Sequence, residues 1–381
     1  MPLLKKHELK NMSLKNMSFT HLHVASGYSF KYGTNLPDQL VTRASELGMN
    51  ALALTDRDTL AGAIRFAGSC ESNSIAPIIG IDIEYENQSR LTLLATPNNW
   101  SSLVRLVTAL KRLSSPPGAD FFAANQSCTE NLLLLHGPNS EVSRAILSRR
   151  YDKALAILNK TRDIFKDQAL ECVSHLESEG VRSTAHAART LGFARDNDLK
   201  AVLSNAVRMK ERSDAPIADI LDATRNLLPL HRNVVERKNA EAFLKSSEEM
   251  AYLAESIAKA AGERSGKFLL RATREWAESA QLSPRIDIGI GSIHLPEPSV
   301  VGASSHEELV RQLRQRCYSG ISWRYGEREN YQENREVIDR LEKELQIIKT
   351  LGYESYFLTV ADVTDRARNS GIRVAARGSG A

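Results

Sequence analysis

Along residues 19–205, short β-prone runs alternate with stretches of helical period, the pattern that βα units make around a parallel sheet. Seven runs are strand-sized: Phe19–His23, Ala51–Thr55, Ile78–Tyr85, Leu91–Ala95, Leu132–Leu135, Ala169–Val173 and Ala201–Ser204. Most are continuously apolar, as strands buried on both faces are. Together they predict a distorted (β/α)7 barrel over residues 18–215. Between the first two runs, Leu36-Pro37-Asp38-Gln39-Leu40-Val41 opens a crossover helix that ends near Leu47-Gly48, with proline in its first turn and glycine at its close.

The period then changes. Over residues 216–281 Leu244, Met250, Leu253 and Ile257 recur at helical spacings, which predicts a helical section. Residues 282–298 hold prolines and glycines and read as a linker. A second domain is expected over 299–381, with amphipathic helices at Glu307–Tyr318 and Asn330–Leu351. Val337, Leu341, Leu345 and Ile348 form one stripe of the latter, and Gly352 closes it. Residues 1–17 are basic and polar, repeat Lys-Asn-Met-Ser, and read as a disordered arm or an over-extended start with Met12 or Met17 as the true beginning.

Composition changes this picture little. Charged residues make up 25% and apolar ones 42% of the 381 residues, the balance of a globular protein. No apolar run is long enough for a membrane span or a signal peptide, so a cytoplasmic protein without membrane contact is expected. Cys70, Cys128, Cys172 and Cys317 lack any C-x-x-C pairing, so neither a disulfide framework nor a cysteine-rich zinc site is indicated. The 50 Lys and Arg exceed the 46 Asp and Glu by only four, too few to mark a nucleic-acid binder by bulk charge.

Two constellations carry candidate chemistry. Strand alternation places His21 and His23 on one face, about 7 Å apart at their Cα atoms. Asp56 follows the second run at the end where barrel sites are built, so the three side chains are candidate metal ligands. The alternative is a set of hydrogen-bonded polar residues at a barrel rim. His136 and His175 are weaker candidates near strand ends. His7, His186, His231, His294 and His306 lack ligand spacing and read as surface residues. At the other end, Arg373-Val374-Ala375-Ala376 reads as a strand running into Arg377-Gly378-Ser379-Gly380. Successive glycine N–H groups, a serine hydroxyl and a guanidinium suit a phosphate, although Gly-Ser-Gly is also ordinary loop sequence.

Phe19-Thr20-His21-Leu22-His23, Ala51-Leu52-Ala53-Leu54-Thr55-Asp56 and Pro77-Ile78-Ile79-Gly80 together resemble the polymerase-and-histidinol-phosphatase (PHP) domain at the front of bacterial C-family DNA polymerases, the polymerase III alpha subunits. Glu344–Ile348, Gly352–Val360 and the Arg377–Ala381 loop resemble the opening of that family's palm, a polymerase-beta-like fold. The Val374–Ser379 wording and Thr55-Asp56-Arg57 are most similar to the divergent, error-prone type. The resemblance implies that 216–281 completes the PHP region and that 299–381 is the start of the palm. It implies that Arg377, Gly378 and Ser379 bind the incoming nucleotide's phosphates, and that the Mg²⁺-holding Asp-x-Asp motif lies beyond Ala381. The 381 residues alone are then not expected to polymerise. The implied partners of the longer protein are primer-template DNA and deoxynucleoside triphosphates, with a sliding clamp and other replication or repair subunits through other regions.

The barrel departs from the pattern of its active relatives. Where the resemblance implies histidines, the chain has Arg57, Arg90 and, in place of a final Asp-x-His, Ala206-Val207-Arg208. Asp82 stands for a glutamate, and His136-Gly137-Pro138 occupies a loop expected to hold cysteine. His21, His23 and Asp56 remain, with Asp82 as a marginal fourth ligand. Arginine stays protonated and repels a cation, so Zn²⁺ or Mn²⁺ is not expected there. The expectation is a structural barrel in which arginines pair Asp56 and Asp82. A metal-dependent phosphoesterase or 3′–5′ exonuclease, and a non-enzymatic scaffold, are the alternatives.

Overall fold

The computed structural model describes residues 18–230, 237–325 and 331–375, and the chain divides into two compact units after Gly291. The first unit is built on a curled six-stranded sheet in the order β1 (Ala51–Arg57), β2 (Ala76–Tyr85), β3 (Ser89–Leu94), β4 (Leu133–His136), β5 (Asp167–Val173) and β6 (Lys200–Ser204). The alternation of apolar residues serves two cores. Ala51, Ala53, Ile78, Leu133, Leu135, Ala169 and Val202 enter one, and Leu52, Leu54, Ile79, Ile81 and Leu134 enter another on the opposite face. This explains why most of the strand sequences carry apolar residues on both faces.

The sheet is not wholly parallel. β3 runs antiparallel to both β2 and β4, whereas the β1–β2, β4–β5 and β5–β6 pairs are parallel. Only Glu86, Asn87 and Gln88 join β2 to β3, and such a link makes a hairpin, since a parallel crossover needs a dozen or more residues. Asn87 and Gln88 supply its left-handed turn, at φ 59° and 54°.

The first expected strand is extended chain without a regular ladder. It nevertheless bonds on both sides: Ala53 and Thr55 donate to the carbonyls of His21 and Val24, while Val24 bridges Val207 just past β6. Val24 N donates to the Thr55 hydroxyl at 2.9 Å, so a side chain replaces one rung of the ladder. Thus Phe19–Ala25 lies between β1 and the chain beyond β6.

The helical section folds onto this sheet. Met250, Leu253 and Ile257 of the Ser247–Ala260 helix pack with Ala187 and Leu191 of the Thr184–Asp196 helix. Trp276, Ala277 and Ala280 of the Lys267–Ala280 helix join the core shared by the strands, and Leu203 N donates to the Thr273 hydroxyl. The front of the stretch expected as a linker also belongs here. Leu282 is buried with its N–H on the Pro77 carbonyl, and Ile288 and Ile290 pack on the core, because these apolar residues stand among the prolines and glycines.

The second unit, from Ser292, has helices at His306–Tyr325, Tyr331–Leu351 and Glu354–Asn369. Leu309, Leu313 and Leu358 form its small core, with Leu345 and Ile348 of the expected stripe against them. Gly352, at φ 70°, ends the second helix in the left-handed conformation that favours glycine. Arg316 holds Asp362 and Asp365 across this unit. Residues 373–375, expected as strand, carry no regular structure. Arg377, Gly378 and Ser379 lie outside the described residues, as do residues 1–17.

Candidate functional site

Alternation along β1 decides what the barrel end can do. Leu52 and Leu54 face one core and Ala51 and Ala53 the other, so Asp56 and Arg57 are delivered to opposite faces. Arg57 then meets Asp82, its register partner on β2, at 3.4 Å. Arg90 of β3 reaches the same carboxylate at 2.9 Å and bridges it to Asp58, also at 2.9 Å. Burial opposes the Arg90 charge, but these two carboxylates outweigh it and raise its pKa.

Asp56 is used differently. Its oxygens accept from Ser26 N at 2.6 Å, the Ser26 hydroxyl at 2.8 Å and the Ser29 hydroxyl at 2.7 Å. Serines thus take the place of the arginine expected beside it. The carboxylate organises the loop that follows Ala25. Burial raises its pKa against the pull of these hydrogen bonds.

His21 and His23 also take separate partners. His21 is fully buried with Nε2 at 2.9 Å from the Lys245 carbonyl. Burial, helped by the Lys245 charge, lowers its pKa to about 4 despite that bond, so the ring is neutral. His23 places Nδ1 3.0 Å from Glu171 Oε2 of β5. Burial disfavours its charge, but Glu171, through its field and hydrogen bond, and Asp82 win and raise its pKa to about 9. At neutral pH the His23 ring holds its second proton against Glu171.

Glu171 was not singled out from the sequence. Its signal is a lone glutamate inside the apolar run Ala169–Val173. Gly137 makes room for the pair: a Cβ there would lie 2.5 Å from Glu171 Oε2 and 3.5 Å from His23 Cε1.

Arg208 lines a neighbouring part of the barrel end. Its guanidinium makes two bonds to the buried Asp222, at 3.0 and 2.8 Å, and two to the Tyr32 carbonyl, at 3.2 and 3.0 Å. The Tyr32 ring lies between Arg57 and Arg208, whose guanidinium carbons are 3.3 and 4.2 Å from its centroid. Burial opposes ionisation of the phenol, but Arg57 and Arg208, together with Arg182 and His23, overcome it and lower its pKa to about 8.

The remaining histidines are placed plainly. His136 pairs with Gln168 at 3.0 Å and His175 with the Asn205 carbonyl at 2.8 Å. Burial lowers their pKa to about 4 and 3. His186 is buried rather than on the surface, because the first turn of its helix faces Ser143, 2.9 Å away. His294 and His306 are exposed, and His7 and His231 lie outside the described residues.

The donors at this end do not fit a metal ion. Among the described residues no three His, Cys, Asp or Glu side chains converge in metal-binding geometry. His21, His23 and Asp56 are committed to Lys245, to Glu171 and to Ser26 and Ser29. Arg57 and Arg90 take up Asp82. Nor is any helix among the described residues long and apolar enough to cross a membrane.

Two family models match the chain: the PHP domain over residues 21–175, and the bacterial DNA polymerase III alpha NTPase domain over residues 311–381. An error-prone DNA polymerase from Symbiobacterium thermophilum is 32% identical over 96% of this chain and 33% of its own length. An error-prone DNA polymerase from Ralstonia pickettii is 30% identical over 95% of this chain and 33% of its own. The DNA polymerase III subunit alpha of Escherichia coli K12 is 28% identical over 95% of this chain and 31% of its own. The chain spans about a third of the length of these relatives. Both domain models match in order, and relatives named DNA polymerase III subunit alpha and error-prone DNA polymerase align across nearly all of the chain.

Proposed function

We propose that the chain is part of a DNA-directed DNA polymerase that performs template-directed nucleotidyl transfer in replication or translesion repair synthesis. The observation that carries this is the NTPase-domain match over residues 311–381, directly behind a PHP domain. In this reading Arg377, Gly378 and Ser379 grip the phosphates of the incoming nucleotide with backbone N–H groups, a hydroxyl and a guanidinium. Primer-template DNA and deoxynucleoside triphosphates are the substrates, and the reaction's Mg²⁺ ions are held by carboxylates outside the residues described. The wording around Arg377 favours the error-prone branch, and a sliding clamp or repair subunit would engage other regions of the whole protein.

In the same reading the PHP barrel is a structural platform. Positive side chains supply the charge that metal ions supply in an active site: His23 faces Glu171, and Arg57 and Arg90 face Asp82.

Equilibrium binding of a fluorescent deoxynucleoside triphosphate, compared with Arg377→Ala and Ser379→Ala, tests the nucleotide site. Undiminished binding in both variants would reject it. For the barrel, stoichiometric Zn²⁺ or Mn²⁺ on purified protein, lost in a His21→Ala/His23→Ala variant, would reject the platform. Mn²⁺-dependent degradation of single-stranded DNA would favour the phosphoesterase alternative, to which the PHP match lends support.

A further inference from the structure

The loop between Phe19–Ala25 and the Pro37–Glu46 helix holds Phe30 out of the protein. Phe30 is 81% exposed, while Ser29 and Tyr32 on either side of its two-residue tip are buried. The tip is held from both ends. On one, the Ser29 hydroxyl donates to Asp56 at 2.7 Å and accepts from Arg57 N at 2.9 Å. On the other, Arg225 donates to the Lys31 carbonyl at 2.9 Å and Arg208 to that of Tyr32. Inside the loop, Tyr32 N returns to the Ser29 carbonyl at 2.9 Å. At Gly33 a Cβ would stand 2.0 Å from the Ser26 carbonyl oxygen, so the turn is closely wound.

An exposed phenyl ring on a mobile tip would be ordinary surface; one fixed by carboxylate, guanidinium and backbone bonds is a presented surface. Its neighbour supplies charge. The Lys31 ammonium stands 5.3 Å from the Phe30 ring centroid, and Lys31 adopts the left-handed backbone, φ 54°, that turns it there. A ring 81% exposed, with a lysine ammonium over it, offers the minimal contact for one unpaired nucleotide: the base stacks on the ring and the phosphate meets the cation. The other cations around the loop are held by carboxylates of the protein. Arg208 is paired with Asp222, Arg57 with Asp82 and His23 with Glu171, which leaves Lys31 as the cation offered to the phosphate.

We propose that Phe30 and Lys31 form a stacking contact for an unpaired nucleotide of single-stranded DNA, at the end of the barrel and without hydrolysis. The inference rests on the polymerase reading for the identity of the strand as DNA and adds a contact that the nucleotide loop does not supply.

The test is equilibrium binding of the whole chain, at low salt, to an oligothymidylate of about ten nucleotides and to an abasic backbone of equal length. Phe30→Ala is expected to weaken oligothymidylate binding roughly tenfold and leave the abasic strand unaffected, since stacking needs a base. Lys31→Ala is expected to weaken both and to reduce the salt slope by about one. Phe30→Trp should bind as tightly as the parent, with its emission quenched by the strand. Unchanged thermal midpoints in all three variants confirm the fold. Equal binding by Phe30→Ala, or equal loss on the two strands, overturns the proposal. A concentration-dependent blue shift of the indole emission of Phe30→Trp without DNA would show that protein covers the site, and also overturns it. Triphosphate binding measured in parallel separates the two readings: loss of the Phe30 effect with triphosphate binding retained rejects this contact alone.

Discussion

His23 Nδ1 and Glu171 Oε2 lie 3.0 Å apart inside the barrel end, joined from segments that are far apart in the sequence. The glutamate is completely buried and has only this ring to neutralise it among the described residues. Removing either partner leaves an uncompensated buried group. Glu171→Gln is expected to destabilise the chain by on the order of 3 kcal/mol near pH 6.5 in urea unfolding.

That cost depends on pH in a definite direction. The folded-state pKa of His23 is raised from 6.5 to about 9, so the proton it holds favours the folded state. The stabilisation is fully present below pH 6.5 and is lost as pH rises through about 9. The stability gap between parent and Glu171→Gln, followed by denaturation from pH 6 upward, is expected to narrow over this window. A gap that widens would show that His23 is neutral when folded.

Gly137 touches both members of the pair. A Cβ 2.5 Å from Glu171 Oε2 cannot be accommodated without moving the carboxylate off His23. Gly137→Ala is expected to cost about 2 kcal/mol, and markedly less in a Glu171→Ala background, where the clash is gone. A double-mutant cycle in urea measures that difference.

Asp222, through Arg208 to the Tyr32 carbonyl and through Arg225 to the Lys31 carbonyl, ties this turn to the Ala215–Asn226 helix. Asp222→Asn keeps the shape but removes the charge that orients both Arg208 and Arg225. Amide exchange across residues 29–35 is expected to accelerate by roughly tenfold or more, against an unchanged rate in β5, because the defect is local.

The arginine-lined barrel also makes a metal prediction. A bound ion stabilises a fold in proportion to its occupancy, so a chelator lowers the melting midpoint of a metal-loaded domain. For this chain EDTA is expected to leave the midpoint within error, and Zn²⁺ or Mn²⁺ to leave it unraised. Differential scanning calorimetry with and without each ion provides the measurement.

The sequence by itself determined the elements: the apolar runs from Ala51 to Ser204, the helix behind Pro37, the stripe ending at Gly352, and the two motif sets that the chain shares with those polymerases. Such features are local, and backbone propensity and period encode them within a few residues. It also exposed the substitutions Arg57, Arg90 and Arg208, since residue type alone says that a guanidinium cannot ligate a cation. Only the tertiary structure decided the partners. One residue of strand register sends Asp56 to the serine loop and Arg57 to Asp82, and no spacing in the chain announces that His23 meets Glu171 across 148 positions. The reversal of β3 and the burial of His186 were likewise set by what packs against them. Long-range pairing follows from how the sheet curls, and that is a property of all the strands together.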